Sequence, residues 1–363
     1  MTPLLLTTLS FLVPAAGTGG EESAPGISLS GLSQLDAVDS MRVGGLFRAA
    51  FDDAGDELSG VTDEDVSALR IYDAQLWFAA ALAGYEVFVK LDAGEATAFP
   101  LIAGDGVQDI DLLRDAWVRK ALCDGVYLYV GQYKCPLVAS GNVGDGSLAM
   151  IDRTRIGYLF SFPGAYQPGV ALMGDYGQFH VKLAVQNGAD GSSDGLGIVA
   201  RGEFKVGEGA KQREGALDSQ GFNGTFGVGY FKDDSQIPVG PGQEDFGSGL
   251  ALDAYATLAR LSAHAEILDA DEELARRALA NTTEDATPFS ATVGYLITDQ
   301  IEAFARFQDL DNEDDASIIG GGVNYYVSGH AAKWQVNVSQ YDDDNIDGTI
   351  LQAGLALGHS ERY

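Results

Sequence analysis

The chain has 363 residues, with 53 acidic against 22 basic side chains, a formal charge of −31, 47 glycines, ten prolines and a mean hydropathy of zero. That charge excludes nucleic acid as a partner, since phosphates require a basic surface, and an acidic solvated surface names no other partner by itself. No run of about 20 apolar residues occurs, so no transmembrane helix is expected beyond a signal segment.

The N-terminus, "MTPLLLTTLSFLVPAAGTGG", has an apolar stretch at Leu4–Val13 and small residues at Ala15–Gly17. It reads as a signal peptide over 1–17, although no Lys or Arg precedes Arg42 to supply the usual basic flank. Residues 18–40 read as a periplasmic extension, with "ISLSGLSQLDA" (27–37) as one further strand. The barrel proper is expected over 41–363.

From Met41 onward, polar and apolar residues alternate with unusual regularity. "YEVFVKLD" sets Tyr85, Val87, Val89 and Leu91 against Glu86, Phe88, Lys90 and Asp92; "FHVKLAVQ" sets Phe179, Val181, Leu183 and Val185 against His180, Lys182, Ala184 and Gln186. "KWQVNVS" does the same near the end, with Trp334, Val336 and Val338 against Lys333, Gln335, Asn337 and Ser339. Sixteen such segments are expected, at 41–52, 67–81, 84–92, 111–121, 125–133, 167–175, 178–187, 196–206, 222–233, 247–259, 261–269, 288–297, 300–309, 317–327, 332–342 and 349–358. The prolines sit outside strand interiors, where each would delete a ladder hydrogen bond.

A soluble half-buried strand alternates in the same way, so the connections must decide. With the first strand running outward, the even connections are short: "LA" at 82–83, "CDG" at 123–125, "TD" at 298–299 and "SGHA" at 328–331, with 207–221 the exception. The odd connections are 53–66, 93–110, 134–166, 188–195, 234–246, 270–287, 310–316 and 343–348. They hold 28 acidic residues but only five basic ones. Length and charge both sort by parity, which a soluble sandwich or propeller has no reason to do. The reading is an all-β transmembrane antiparallel barrel of about 16 strands with long extracellular loops.

Three stretches carry a family resemblance. "LRDAWVRKALCDGVYLYVGQYKCPL" (113–137), "GYLITDQIEAFARFQDLDNEDD" (294–315) and "GVNYYVSGHAAKWQVNVSQYDDD" (322–344) resemble, in order, the phosphate-selective porin O and P family. The resemblance implies a sixteen-stranded, usually trimeric outer-membrane porin whose long third loop, here 134–166, folds into the channel. It also implies uptake of anions or phosphate, without fixing the solute.

The expected function is therefore a water-filled channel in the bacterial outer membrane, contacting lipid outside and passing small hydrophilic solutes by passive diffusion, with weak anion preference. Lys134, Arg153 and Arg155 are the candidate constriction cations. Taking the more polar face of each strand as lumen gives nine basic pore-lining residues: Arg42, Arg48, Lys90, Arg119, Lys182, Arg201, Lys205, Arg306 and Lys333. The acidic set is Asp73, Glu86, Asp115, Glu203, Asp253, Glu266 and Glu302, so the wall is near neutral although the chain is strongly acidic. For each wall charge the alternative is a salt bridge between neighbouring strands that transports nothing. For Arg153 and Arg155 it is anchorage of the loop to the wall.

A general, cation- or sugar-permeable porin, or a mainly structural envelope barrel, is the competing function. A track of lumenal aromatics would favour sugars, and Trp77, Phe88, Trp117 and Phe304 are the candidates. Trp334, Tyr325 and Tyr326 suit an interfacial aromatic girdle. No nucleophile elbow, phosphate loop or clustered His/Cys spacing appears, so no enzyme and no cofactor are expected. Asp343, Asn345, Asp347 and Gly348 echo the start of a calcium loop, but Gly354 stands where its closing glutamate belongs, which leaves Ca2+ at the outer loops a minor reading. Cys123 and Cys135 bracket one strand of about ten residues, which holds them ~30 Å apart and unpaired.

Overall fold

Alternation over ten-residue segments leaves each strand with one apolar and one polar face, and closing the sheet on itself buries the polar face while removing every free edge. The computed structural model has this form. It describes residues 38–54, 66–94, 112–159, 166–188, 195–209, 214–217, 219–239, 242–278, 284–313, 315–343 and 347–358. The proposed signal segment and most of the N-terminal extension lie outside the described residues, as do parts of several outer loops.

Sixteen antiparallel strands form one closed barrel in sequential order, with β1 paired to β16. They are β1 (Val38–Ala54), β2 (Val66–Leu82), β3 (Tyr85–Asp92), β4 (Leu113–Cys123), β5 (Val126–Lys134), β6 (Tyr166–Tyr176), β7 (Phe179–Asn187) and β8 (Leu196–Val206). The circuit continues with β9 (Phe222–Val239), β10 (Gly242–Leu258), β11 (Leu261–Ala270), β12 (Phe289–Thr298), β13 (Ile301–Asp309), β14 (Ser317–Ser328), β15 (Ala332–Asp342) and β16 (Asp347–Gly358). All sixteen expected segments are strands.

The largest difference is the connection expected at 234–246. Its backbone continues the β9–β10 pairing to Val239 opposite Gly242, across a register shift between Asp245 and Gly247. Pro238 in this hairpin, and Pro168 near the start of β6, lie within strands. Both sit close to a strand end, where a missing N–H costs least.

The outside of the barrel is apolar. On β15, Trp334, Val336 and Val338 are 53%, 51% and 49% exposed, whereas the intervening Lys333, Gln335 and Asn337 are at 2% or less. Exposed Leu, Ile, Val and Phe continue this belt around the barrel. In water such a surface would aggregate; in a bilayer it is the solvated face. The alternation also corrects the girdle: Trp334 and Tyr325 face outward, but Tyr326 turns inward and donates to Glu302 Oε2 at 2.8 Å. Where the ladder runs without a bulge, as it does here, adjacent strand residues point to opposite faces, so Tyr325 and Tyr326 could not both belong to the girdle. The two cysteines are free, Cys123 exposed and Cys135 buried.

Two irregularities re-aim side chains at the lumen. Opposite the Arg48/Ala49 shift, β2 carries one extra residue, so Tyr72 and Asp73 both point inward. Opposite the Lys90/Leu91 shift, β4 does the same with Arg114 and Asp115. These are bulges of the kind that redirect side chains beside functional sites.

Candidate functional site

The segment after β5 leaves the wall and folds into the lumen. It forms a short helix at Ala139–Asn142, a tight turn at Asp145–Ser147 and a second short helix at Arg155–Leu159, nearly all of it buried. An irregular segment exposes carbonyls that helices and sheets would have satisfied internally, and in a buried place each needs a donor. Inward-facing wall side chains supply them. Arg201 Nη1 donates to Leu137 O at 2.8 Å, Arg48 Nη1 to Ile151 O at 2.9 Å, and Arg306 Nη1 to Asp152 O at 2.7 Å. Lys333 Nζ donates to Leu148 O, and Asn324 Nδ2 to Ala149 O at 2.9 Å. In the other direction, Ser140 donates its hydroxyl to Glu266 and Arg155 its backbone N–H to Gln308 Oε1 at 2.6 Å.

The wall charges therefore divide into two groups. Arg48, Arg201, Arg306, Lys333 and Glu266 hold the loop against the β8–β16 and β1 side. Arg201 is additionally bidentate to Asp253, at 2.6 and 2.9 Å, and bonded to Glu203 at 2.7 Å. Arg48 is paired with Asp73. Glu302 accepts from Ala216 N at 2.6 Å as well as from Tyr326. Away from the loop's main anchors stand Lys90 of β3 (2.8 Å from Asp115), Arg119 of β4 (paired with Glu86 and donating to Tyr129 Oη at 2.8 Å), Lys182 of β7 and, near the short-turn end of β8, Lys205. Arg42 is exposed near the end of β1.

The three constriction candidates also separate. Lys134 donates to Gly141 O at 2.9 Å and lines a small cavity. Arg153 is engaged with Ser140 O and Asp145 of its own loop. Arg155 is buried beside Tyr158, its Nε and Nη1 without a hydrogen-bond partner among the described residues; burial pulls its guanidinium below the usual arginine range.

The long even connection, 207–221, contributes a second inner element. Glu214, Ala216 and Leu217 lie in the lumen, and Glu214 N donates to Ser147 O at 3.0 Å. Its carboxylate accepts from Ala149 N at 2.6 Å and Arg306 Nη2 at 3.0 Å. Burial pushes the Glu214 carboxyl up, but Arg306, His264 and the Ala149 amide outweigh it and hold the group below the usual range. Arg306 and Glu214 thus clasp the constriction loop from beneath. Sequence reading noticed only that this connection breaks the short-turn rule.

Free space remains along the other wall. A cavity of about 60 Å³ lies beside the constriction loop, with Lys134, Lys182, Asp115 and Tyr133 on its lining; a larger one of about 320 Å³ lies towards the short-turn end, with Arg42, Arg119 and Glu86. Trp117 lines both. The smaller has room for only a few waters.

Asp52 and Asp92, which alternate with Arg48 and Lys90 on the polar face, join the lumenal charges, and so does Arg114, which alternation missed. Asp92 and Arg114 form a pair at 3.8 Å. Arg114 was invisible because the β4 bulge puts two successive residues on one face. Among the described residues no group of three or more His, Cys, Asp or Glu is arranged to hold a metal. Asp343 accepts from Tyr341 Oη at 2.7 Å, while Asn345 of the calcium-loop reading lies outside the described residues.

Asp152 gives the constriction loop a pH dependence. Its carboxyl is pushed from the usual 3.8 to about 6 by burial and by Asp52 of β1, against Gln352 of β16, Arg48 of β1 and Arg306 of β13, with Tyr72 of β2 also nearby. An acid whose value is raised on docking takes up a proton as it docks. Docking is therefore fully favoured below about pH 3.8 and weakens as pH rises from there to about 6, above which it changes no further. Channel conductance should fall on acidification from pH 7.5 to 5, and Asp152→Asn should remove the transition and stay at the low-pH level. A planar-bilayer pH series checks both.

Among solved structures, the chain resembles an anion-selective porin from Comamonas acidovorans, with a TM-score of 0.55 at 11% identity, over 88% of this chain and 99% of that one. It likewise resembles OprB of Pseudomonas putida (0.59, 11%, 88% and 94%) and the outer-membrane channel DcaP of Acinetobacter baumannii (0.53, 10%, 88% and 97%). No family model and no curated protein matches the sequence. The chain has the porin-type barrel fold of the bacterial outer membrane, with sixteen strands and an inwardly folded third loop. At these identities the likeness is one of fold.

Proposed function

We propose that the chain forms a water-filled channel in the bacterial outer membrane for passive diffusion of small hydrophilic solutes, with weak anion preference, as a homotrimer of the phosphate-selective porin O and P type. The observation that carries this reading is the uneven docking of the 134–166 loop. It is anchored chiefly to the β8–β16 and β1 side, with one bond from Gln75 of β2 to Asp145 at 2.9 Å, and leaves cavities along β1–β7, where the lining cations Arg42, Arg119, Lys134 and Lys182 outnumber the carboxylates Glu86 and Asp115. A confined pore with excess fixed positive charge concentrates anions. The preference is weak because Arg119 already pairs with Glu86, and the outer loops repel incoming anions.

Reversal potentials in a KCl gradient test the reading, with chloride expected to be the more permeant ion. Potassium preference overturns it. Phosphate that fails to block chloride current removes phosphate specificity while leaving the channel in place.

A further inference from the structure

Tyr166 opens β6 opposite Lys134 at the end of β5, and it is buried on the inner wall. Cations from three successive strands surround its ring. Lys134 Nζ of β5 lies 5.1 Å from the centroid, Lys90 Nζ of β3 5.5 Å and Arg114 Cζ of β4 5.6 Å, all within the range of cation–π attraction. Arg114 reaches the ring because the β4 bulge turns it inward together with Asp115. Under strict alternation it would face the lipid.

Like charges gathered this closely repel, so something must hold them. Carboxylates would hold them by neutralising them, and two are at hand. Asp115 lies 2.8 Å from Lys90, and Asp92 lies 3.8 Å from Arg114. The second distance is longer than a hydrogen bond, and Nε and Nη1 of the buried Arg114 make none among the described residues. Arg114 thus stands between a carboxylate on which it does not close and an aromatic ring. A ring quadrupole attracts cations while carrying no net charge, so it gathers them and leaves their positive field intact. The cavity of about 60 Å³ borders this cluster, with Tyr166, Lys134, Lys182 and Asp115 on its lining. Lys182 brings a further cation, and it also interacts with Glu203 of β8, which Arg201 holds.

We propose that Tyr166 is a positioning residue for ion selectivity: its ring gathers Lys90, Arg114 and Lys134 beside the lumen without neutralising them, and so sets how strongly the pore favours anions. This rests on the channel reading for the conducting path. It does not rest on which ion the wild type prefers, because the test reads a shift between variants.

The refolded chain is inserted into planar bilayers, and the chloride-to-potassium permeability ratio is taken from reversal potentials in a KCl gradient. Tyr166→Phe keeps the ring and should stay within about twofold of the wild type. Tyr166→Leu removes the ring, frees Arg114 to close on Asp92, and should lower the ratio about threefold or more. A heat-dependent gel shift confirms a folded barrel in each case. Packing is separated from electrostatics by placing phenylalanines with one, two and three ring fluorines at position 166. Fluorine withdraws electron density from the ring face at nearly constant shape, so the ratio should fall stepwise with fluorine number.

An unchanged ratio in Tyr166→Leu, or a flat fluorinated series, overturns the role of the ring. So does an equal loss in Tyr166→Phe and Tyr166→Leu, which assigns the effect to the hydroxyl. Potassium preference in the wild type overturns the anion reading of the pore, while a stepwise fall with fluorine number still upholds Tyr166. Absence of any conductance overturns both.

Discussion

Replacing Arg306 by alanine should loosen both inner segments at once and raise the conductance of the channel. Arg306 donates to Asp152 O in the constriction loop, to Thr292 Oγ1 at 3.0 Å in its own wall, and to the Glu214 carboxylate. Both side chains of the Arg306–Glu214 pair are at most 3% exposed. Truncating one partner of such a pair leaves the other charged and buried, at a cost of about 3–5 kcal/mol. That is on the order of a thousandfold in the balance between docked and released segments. The backbone amides of Glu214 and Ala216, now bonded to Ser147 O and Glu302, should lose protection in hydrogen exchange. Single-channel recordings should show larger and noisier current steps. Arg306→Met with Glu214→Leu should recover much of the docked state, because replacing both partners strands no charge. Unchanged conductance and unchanged protection in Arg306→Ala would show that the clasp does not hold the segments in place.

The barrel was legible because two independent periodicities agree. Side-chain alternation gives the strands, as Lys333–Ser339 illustrates, and connection length with acidic content gives the two ends. Neither signal depends on distant contacts, so a single sequence carries both. Strand ends moved by a few residues except at Val239 and Gly242, where Pro238, Gly240 and Pro241 resemble a loop while the backbone continues the ladder.

The interior was legible only in part. Alternation correctly sends Arg201, Arg306 and Lys333 inward but cannot say that each ends on a carbonyl of the 134–166 loop. That outcome depends on pairings between residues 64 to 185 positions apart. Bulges hide Arg114 and Tyr72 from a strict two-residue period. Glu214 was hidden for another reason: it sits in a connection whose length was noticed but whose direction no local pattern specifies. Trp77, Phe88 and Trp117 stand far apart in the sequence because hairpin lengths separate them. Register places them side by side, through Phe88 opposite Trp117, and adds Tyr129.

Arg201→Ala should be the most destabilising single substitution in the wall. Its guanidinium, 1% exposed at the side chain, holds Asp253 by two hydrogen bonds, Glu203 by a third and Leu137 O by a fourth. Asp253 stands opposite Glu266 on β11 and opposite Gly227 on β9, which in turn stands opposite Glu203 on β8. Three carboxylates therefore share one buried patch around Arg201, with Lys182 of β7, its cross-strand partner, also beside Glu203. Gly227 belongs to the same arrangement, since a Cβ there would lie 2.3 Å from Arg201 Nη2 and 2.5 Å from Asp253 Oδ1. Alanine at 201 leaves the buried Asp253 without its bidentate partner, and a loss of about 3–5 kcal/mol is expected as a lower urea midpoint of the folded barrel in detergent. Lysine at 201 should recover only part of it, because one ammonium cannot reproduce the bidentate fork and also reach Glu203 and Leu137 O. Arg201→Met combined with Asp253→Leu should recover less than a simple ion-pair replacement would, since Glu203 and Leu137 O lose their donor in that double variant as well. If Arg201→Ala instead unfolds at the wild-type midpoint, the three carboxylates are not held by Arg201, and the loop base at Leu137 must be anchored through Glu266 and Ser140 alone.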